Sequence, residues 1–259
     1  MSSEVHIEVT TPIATVRLDG PDRHNVLDVR GWRALAAAFD ELSEREDVAC
    51  VAMCGTGGQA FSAGSDIGGF AKERETLDQV RGYSAAIGSA LESIQSCKQP
   101  TVAIIEGICV GGGLEIAACC DLRVCGESSR FGAPINRLGL TMSYDELQPL
   151  VRLLGPSPVL ELLLSGELIG AERARTVGLV NRVHPDSAVV EHGYGLAARI
   201  AAGAPLVNRW HKRFVRRLLD PTPVTEAERE EAHAAFATAD YREGRLAFLE
   251  KREPRFRGE

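Results

Sequence analysis

The chain has 259 residues, of which 44% are hydrophobic and 25% are charged, and this composition excludes a disordered or fibrous protein. Its net charge of −7 provides no general attraction to nucleic acid or to an anionic membrane. We therefore expect neither as a partner, and we expect any anionic ligand to be held by local contacts. At roughly 150 residues per domain, the length allows one large domain or one domain with an appendage.

The cysteines, the histidines and the first residues bear on the cellular compartment and on metals. The seven cysteines lie mostly in apolar runs and include no Cys-x-x-Cys pair, which predicts reduced thiols in a cytoplasmic protein. The six histidines show none of the paired spacings that bind transition metals, so we expect no metal. The opening segment MSSEVHIEVTT lacks the features of a signal peptide, and no run of about 18 apolar residues occurs, so we expect neither secretion nor a membrane span.

Hydrophobic periodicity predicts alternating strands and helices up to about residue 144, and mostly helices after it. The opening residues alternate as in a β-hairpin, and Asp28 is placed to cap the helix that follows. Predicted strands are 5–9, 13–18, 48–54, 101–105, 121–125 and 130–132; predicted helices are 28–43, 76–97, 111–120, 145–154, 157–164, 171–176, 187–202, 205–219, 224–237 and 240–251. This alternation predicts an α/β fold, and the last 60 or so residues are expected to form a helical appendage.

One predicted helix near the C-terminus is strongly basic. Its cations admit two interpretations, a solvated helix face or a surface that captures phosphate groups. The residues concerned are Arg209, His211, Lys212, Arg213, Arg216 and Arg217.

The sequence disfavours three common motifs for nucleotide binding and hydrolysis. Residues 55–60 follow a strand and fit the loose dinucleotide pattern Gly-x-Gly-x-x-Ala, but the residues after them are poor helix formers. The glycine triplet 111–113 lacks the following Gly-Lys-Ser/Thr of a phosphate-binding loop. No Gly-x-Ser-x-Gly nucleophile elbow occurs either.

Two glycine-rich segments with a related construction remain: AFSAGSDI at 60–67 and GICVGGGLEIA at 107–117, each following a buried strand. Glycine permits close approach of the backbone, and a helix that opens at 112 or 113 adds its positive end. Together the two segments can direct backbone N–H groups at one oxygen and stabilise an enolate-type oxyanion. Glu115, in the first turn of that helix, is placed to move a proton or to direct water, although a surface glutamate favoured by the helix dipole is the plainer interpretation of that residue alone.

The chain resembles the enoyl-CoA hydratase/isomerase (crotonase) family over nearly its whole length. The resemblance rests on the order and spacing of five segments: AFSAGSDI, EGICVGGGLEIAACCDLRV, FGAPINRLGL, ERARTVGLVNRV and EGRLAFLEKREPRF. It implies a superhelix of ββα units over 1–200 and a C-terminal helical region over 201–259 that trimerises, usually into a hexamer. It also implies an acyl-CoA substrate, with coenzyme A as part of that substrate and no separate cofactor.

The resemblance assigns roles to individual residues. The oxyanion donors are the backbone N–H groups of Ser65 and Gly112, and Glu115 stands beside the polarised thioester carbonyl. The CoA adenine lies against the loop from Ala63 to Ile67, a basic residue lies near the phosphates, and two C-terminal residues reach the CoA of a neighbouring subunit. The residues implied in CoA binding are therefore Arg23, Ala63, Asp66, Ile67, Phe248 and Lys251.

One departure from the family pattern bears on the reaction. Hydratases of this family carry a second glutamate directly after the proline of an F-G-x-P-E segment, and this chain has Ile135 there. Ile135 cannot transfer a proton. Asp145 or Glu146 is a candidate to restore the second carboxylate, and the alternative is that both are simply acids at a helix start.

The hypothesis from the sequence is therefore hydration of a 2-enoyl-CoA to a 3-hydroxyacyl-CoA, with Glu115 activating the water and the amides of Ser65 and Gly112 stabilising the enolate. Double-bond isomerisation or another enolate reaction, for which one carboxylate suffices, is an alternative within the family. A CoA-binding protein with little catalysis is the alternative from a different class, and Ile135 is the main argument for it.

Overall fold

The computed structural model describes residues 3–259, in ten strands and eleven α-helices joined by short turns. The strands are β1 (Glu4–Thr10), β2 (Ile13–Asp19), β3 (Cys50–Gly55), β4 (Ala60–Ser62), β5 (Thr101–Ile105), β6 (Ile108–Val110), β7 (Leu122–Gly126), β8 (Arg130–Gly132), β9 (Ile169–Gly170) and β10 (Arg182–His184). The helices are α1 (Val29–Ser43), α2 (Phe70–Glu73), α3 (Leu77–Ser96), α4 (Gly112–Cys119), α5 (Tyr144–Leu154), α6 (Pro156–Ser165), α7 (Ala171–Thr176), α8 (Val189–Ala201), α9 (Pro205–Arg217), α10 (Glu226–Glu231) and α11 (Ala239–Glu250). None of the helices in this range is long and apolar enough to cross a membrane.

The strands form two sheets, and from β3 to β8 successive strands belong alternately to one sheet and to the other. The six-stranded sheet has the order β1-β2-β3-β5-β7-β10, and the four-stranded sheet has the order β4-β6-β8-β9. Strands β3, β5 and β7 are each followed by a strand of the second sheet, and neighbouring repeats pair in parallel within each sheet. This repetition of two strands and a helical segment is the ββα superhelix that the resemblance implies, so the predicted fold class is confirmed.

Helices cover both faces of the six-stranded sheet. On one face, Leu35 and Phe39 of α1 and Leu91 of α3 pack into the main hydrophobic core, and all three are fully or almost fully buried. On the other face, Leu196 of α8 packs against a smaller core around Val102. Asp28 accepts a hydrogen bond from the Gly31 N–H at 2.8 Å and caps α1, as predicted.

The predicted hairpin and the long helices are confirmed, while four short strands are missing from the prediction. Three of the four, β6, β9 and β10, have three residues or fewer of apolar and mixed sequence, and β4 lies inside the glycine-rich segment that was predicted as loop. Runs this short carry too few alternations to show a period of two. Strands β9 and β10 also correct the expectation that strands nearly cease after residue 144. The division of the chain at residue 200 stays a prediction.

The basic residues of α9 have a role that neither interpretation of the sequence anticipated. Arg209 donates to the carbonyl oxygens of residues 45, 46 and 48, and Lys212 donates to the Gln99 carbonyl at 2.8 Å. Arg216 donates to the carbonyls of Gln95 and Cys119 at the ends of α3 and α4. These cations satisfy carbonyls at the ends of α3 and α4 and in the loops that follow α1 and α3, and so they dock α9 onto the core. For these three residues a purely solvated face is wrong, and phosphate capture stays a prediction.

Asp121 is the anionic centre of this docking. Its carboxylate accepts from Lys212 Nζ at 2.8 Å, from Arg216 Nη2 at 2.9 Å and from the Thr101 N–H at 2.8 Å. Burial disfavours the charged carboxylate, but the charges of Lys212 and Arg216 outweigh burial and hold the pKa of Asp121 below its ordinary value. The network therefore contributes stability that is complete above the ordinary aspartate pKa and is lost as the pH falls through the lowered one.

We expect Asp121→Ala to lower the free energy of unfolding at pH 7 by about 3–5 kcal/mol, because Lys212 and Arg216 lose their partner in a largely buried setting. Urea denaturation measures the change. The loss should shrink in acid, where the wild-type carboxylate is itself protonated. Asp78→Ala removes an exposed carboxylate that pairs with Arg81 and should cost less than about 1 kcal/mol. Equal losses in the two variants would contradict a docking role for Asp121.

Candidate active site

A cavity of about 80 Å³ lies where the loop after β4, the start of α4 and the segment before α5 meet. Its volume is about half that of the roughly 150 Å³ cavity known to accept benzene, so it suits a small group. Its lining combines apolar side chains, two carboxylates and one cation: Ala63, Ser65, Ile67, Phe70, Arg74, Gly111, Gly112, Glu115, Ile135, Leu138, Leu140, Thr141, Met142 and Glu146.

The two glycine-rich segments touch through their backbones beside this cavity. A Cβ atom on Gly64 would lie 2.4 Å from the Gly112 nitrogen, and Gly64 has a φ of +84°. Gly111 has a φ of 53° and a ψ of −126°, a conformation that is closed to residues with a side chain. Both positions therefore require glycine, one for close approach and both for backbone conformation.

The loop that carries Ser65 is fixed by hydrogen bonds on each side of that residue. Leu27 N–H donates to the Gly64 carbonyl, and Asp66 N–H donates to the Leu27 carbonyl, both at 2.8 Å. Within residues 3–259, neither the Ser65 N–H nor the Gly112 N–H donates to a protein acceptor, although both residues line the cavity. The structure thus brings together the two amides predicted from the sequence, with their donors unused, which is the arrangement an oxyanion hole needs.

Glu115 is held in the first turn of α4, where the sequence prediction placed it. The residue is 4% exposed, and its Oε2 atom is buried without a hydrogen-bond partner in the described chain. Burial, reinforced by the charge of Glu146 and opposed by that of Arg74, raises the pKa of Glu115 well above its ordinary value. Such a carboxyl is costly to fold, so its retention in the cavity favours a chemical role over the interpretation as a surface residue.

The structure separates the two candidates for a second carboxylate. Glu146 lines the cavity, and its carboxylate also caps α5 by accepting from the Ser143 N–H. Asp145 is exposed and lies outside the cavity, with an oxygen near Gly88 of α3. Ile135 lines the same cavity. Ile135 and Glu146 therefore line the same cavity as Glu115.

The residues predicted to bind CoA fall into two groups. Ala63 and Ile67 line the cavity, and Asp66 beside them accepts a bidentate ion pair from Arg23. The hydrogen bond from Arg23 lowers the pKa of Asp66, and the Asp66 carboxylate also caps the turn at Ile67–Gly69. This ion pair orients Arg23 beside the loop.

The other group, Phe248 and Lys251, does not reach this cavity. Phe248 is 83% exposed on α11, and Lys251 ends that helix in the left-handed conformation with a φ of 55°. Within one chain, these two residues are therefore not part of the site.

One charged residue of the cavity, Arg74, is not among the site residues predicted from the sequence. Arg74 follows α2, and its guanidinium lies 4.2 Å from the ring centre of Phe70 and 3.8 Å from that of Tyr83. In the sequence it stands within the run Lys-Glu-Arg-Glu, which is typical of a solvated surface. No signal in a single sequence separates it from its charged neighbours.

A ββα superhelix in which two unused amides and a buried carboxyl line one cavity has the architecture of the crotonase fold. Comparison with known proteins agrees, because the family model described as enoyl-CoA hydratase/isomerase matches residues 8–259. The chain belongs to the enoyl-CoA hydratase/isomerase family.

Individual relatives span almost the whole chain. It is 31% identical over 253 residues to a probable enoyl-CoA hydratase of Rhizobium meliloti (97% of this chain, 96% of the relative). It is 30% identical to the crotonyl-CoA hydratase of Syntrophomonas wolfei, with 96% of each chain covered. A crystal structure from Magnetospirillum magneticum, described as an enoyl-CoA hydratase/carnithine racemase, superposes with a TM-score of 0.96 at 45% identity, covering 98% of this chain and 96% of that one.

The electrostatics of the cavity predict opposite effects of two substitutions on Glu115. Removing the charge of Glu146 with Glu146→Gln should lower the pKa of Glu115, and removing that of Arg74 with Arg74→Gln should raise it, because the two charges act on it with opposite sign. Infrared titration of the protonated carboxyl band, assigned by its loss in Glu115→Gln, measures both shifts. Shifts of the same sign in the two variants would contradict this charge arrangement.

Proposed function

We propose that this protein adds water to the 2,3 double bond of an enoyl-CoA thioester and forms a 3-hydroxyacyl-CoA. The observation that carries the proposal is the buried, unpartnered carboxyl of Glu115 in the same small cavity as the unused amides of Ser65 and Gly112. Family membership and relatives described as enoyl-CoA and crotonyl-CoA hydratases support it.

In the proposed reaction, the thioester oxygen accepts hydrogen bonds from the Ser65 and Gly112 amides. Water oxygen bonds to C3 while Glu115 takes a proton from that water, and the electrons of the double bond move toward the thioester oxygen as an enolate. A second carboxyl group then gives its proton to C2, the carbonyl re-forms, and proton exchange with solvent returns both carboxyl groups to their starting states. The amides bind most strongly when the charge on the oxygen is greatest, so they lower the barrier rather than merely hold substrate.

Two carboxylates suit this reaction because hydroxide and a proton go to different carbons. Burial raises the pKa of Glu115, which makes its carboxylate a stronger base toward water. Glu146 lines the same cavity, and we assign it the second catalytic role in place of the glutamate that Ile135 replaces.

Double-bond isomerisation is the second candidate. Ile135 favours it, because one carboxylate suffices to carry a proton between two carbons, and Glu115 alone meets that need. A CoA-binding protein without catalysis is less well supported, since binding does not require an unpartnered carboxyl in the cavity.

We further propose that the chain self-associates as a trimer or hexamer in the cytoplasm, and that α11 contributes to the CoA site of a neighbouring subunit. Large apolar side chains of the C-terminal helices are exposed, among them Val215 at 63%, Leu249 at 70% and Phe248 at 83%. Lys251, one turn beyond Phe248, makes no ion pair within the described residues and is free to meet a phosphate.

The proposed function is tested by following the loss of conjugated absorbance of crotonyl-CoA with wild type and Glu115→Gln. We expect wild type to hydrate this substrate and the variant to lose about 100- to 10,000-fold in kcat, because the positioned proton carrier is gone. Affinity for butyryl-CoA, measured by calorimetry, should stay nearly unchanged, since Glu115 is assigned to chemistry. Turnover in the variant close to that of wild type would refute the assignment.

Glu146→Gln should lower hydration by about 100-fold or more, because it removes the second carboxylate while glutamine retains the helix cap. Asp145→Asn, the matched loss of charge at the adjacent exposed position, should leave kcat nearly unchanged. Adding Ile135→Glu to Glu146→Gln should recover part of the activity, since it returns a carboxylate to the position used by the family. Full activity of Glu146→Gln alone would refute a catalytic role for Glu146.

A further inference from the structure

Arg74 is a cation in the cavity whose hydrogen-bonding capacity the protein leaves unused. Its Nε atom is buried without a partner, and its side chain donates no hydrogen bond within residues 3–259. The cost of an unpaired buried donor applies to Nε alone, because the two Nη groups are not buried. The guanidinium therefore has accessible N–H donors that can bind an anionic group.

The guanidinium is held by aromatic rings rather than by a carboxylate. Its central carbon lies over both Phe70 and Tyr83, at 4.2 and 3.8 Å from their ring centres, and the two rings meet edge to face at 6.1 Å. Such cation–π contacts hold the guanidinium without using any of its N–H donors. The Tyr83 hydroxyl donates to the Leu27 carbonyl at 3.1 Å, which connects this clamp to the hydrogen bonds that hold the Ser65 loop.

A role as counter-charge alone does not account for this geometry. Glu115 and Glu146 both line the cavity, but within the described residues no carboxylate approaches the guanidinium nitrogens to 4.0 Å, the limit for an ion pair. A side chain selected only to neutralise those acids would gain most by bonding to one of them. Arg74 instead lines the cavity without spending its donors on a carboxylate of the protein.

We propose that Arg74 recognises a carboxylate at the far end of a short acyl chain, so that the preferred substrate is a 2-enoyl-CoA whose acyl group carries a terminal acid. This inference rests on the proposed function and specifies its substrate. A carboxylate matches a guanidinium in a bidentate manner, whereas a neutral alkyl end leaves Arg74 unpaired, and a quaternary ammonium group is repelled by it. The cavity of about 80 Å³ limits the chain to a few carbons.

The test compares three five-carbon 2-enoyl-CoA substrates that end in a carboxylate, in its methyl ester, and in a methyl group. For wild type, we expect kcat/KM for the acid to exceed that for the ester by about 10- to 100-fold, as a charge-assisted contact provides. In Arg74→Gln the ratio of acid to ester should fall to about one, and Arg74→Lys, which keeps the charge without the fork, should lie between. The ratio cancels any general effect of Arg74 on Glu115.

Lys72→Gln is the matched control, because Lys72 is an exposed cation on α2, two residues away, and its loss should leave the ratio unchanged. Calorimetry with the saturated five-carbon acyl-CoA, as acid and as methyl ester, reports recognition without catalysis. Selective binding of the acid by wild type but not by Arg74→Gln, without turnover of any substrate, would support Arg74 and overturn the hydratase proposal. Turnover of all three substrates with no preference for the acid, or a preference that survives Arg74→Gln, would overturn the role of Arg74 and leave the hydratase proposal standing.

Discussion

The close approach of two backbone segments at Gly64 and Gly112 is the constraint on which the site depends. Their separation leaves no room for a Cβ atom on Gly64, so the chain must have glycine there and must bring two repeats of the superhelix into contact. In each repeat, a strand of the second sheet, β4 or β6, ends just before this contact. The two amides consequently lie just beyond strand ends, and hydrogen bonds to Leu27 fix the loop that carries Ser65, which is the preorganisation that the proposed oxyanion hole requires.

The same contact explains why an ionisable group can be tolerated in the interior. The start of α4 presents its positive end and its unpaired N–H groups to the cavity, and Glu115 lies within that first turn. Burial still raises the pKa of its carboxyl, so the helix end does not fully offset the loss of water. Arg74 and Glu146 then adjust the proton affinity from opposite directions. Three ionisable groups in one small cavity therefore determine that proton affinity together.

Most of the fold and the centre of the site could be predicted from the sequence, since both leave long or distinctive patterns. Helix α1 shows its cap and its apolar stripe, and the glycine segments around Ser65 and Gly112 carry the resemblance from which their role was predicted. Strands such as β6 are too short to show a period. The choice of Glu146 over Asp145 depends on the direction in which α5 begins, and adjacent residues on a helix start point in different directions.

Arg74 and the basic residues of α9 show the limit of reading charge from sequence. A run of cations in a sequence can face solvent, bind a ligand or donate to the protein's own carbonyls. Only the contacts in the structure distinguish these three cases. Arg209, Lys212 and Arg216 donate to backbone carbonyls of the core and to Asp121, so the fold already supplies partners for these cations. Arg74 looks ordinary in the sequence, yet its donors remain free inside a cavity. The chain has a net charge of −7, and its proposed substrate is a polyanionic thioester. Binding such a substrate therefore depends on the cations that have no partner within the protein, and not on the total number of cations in the sequence.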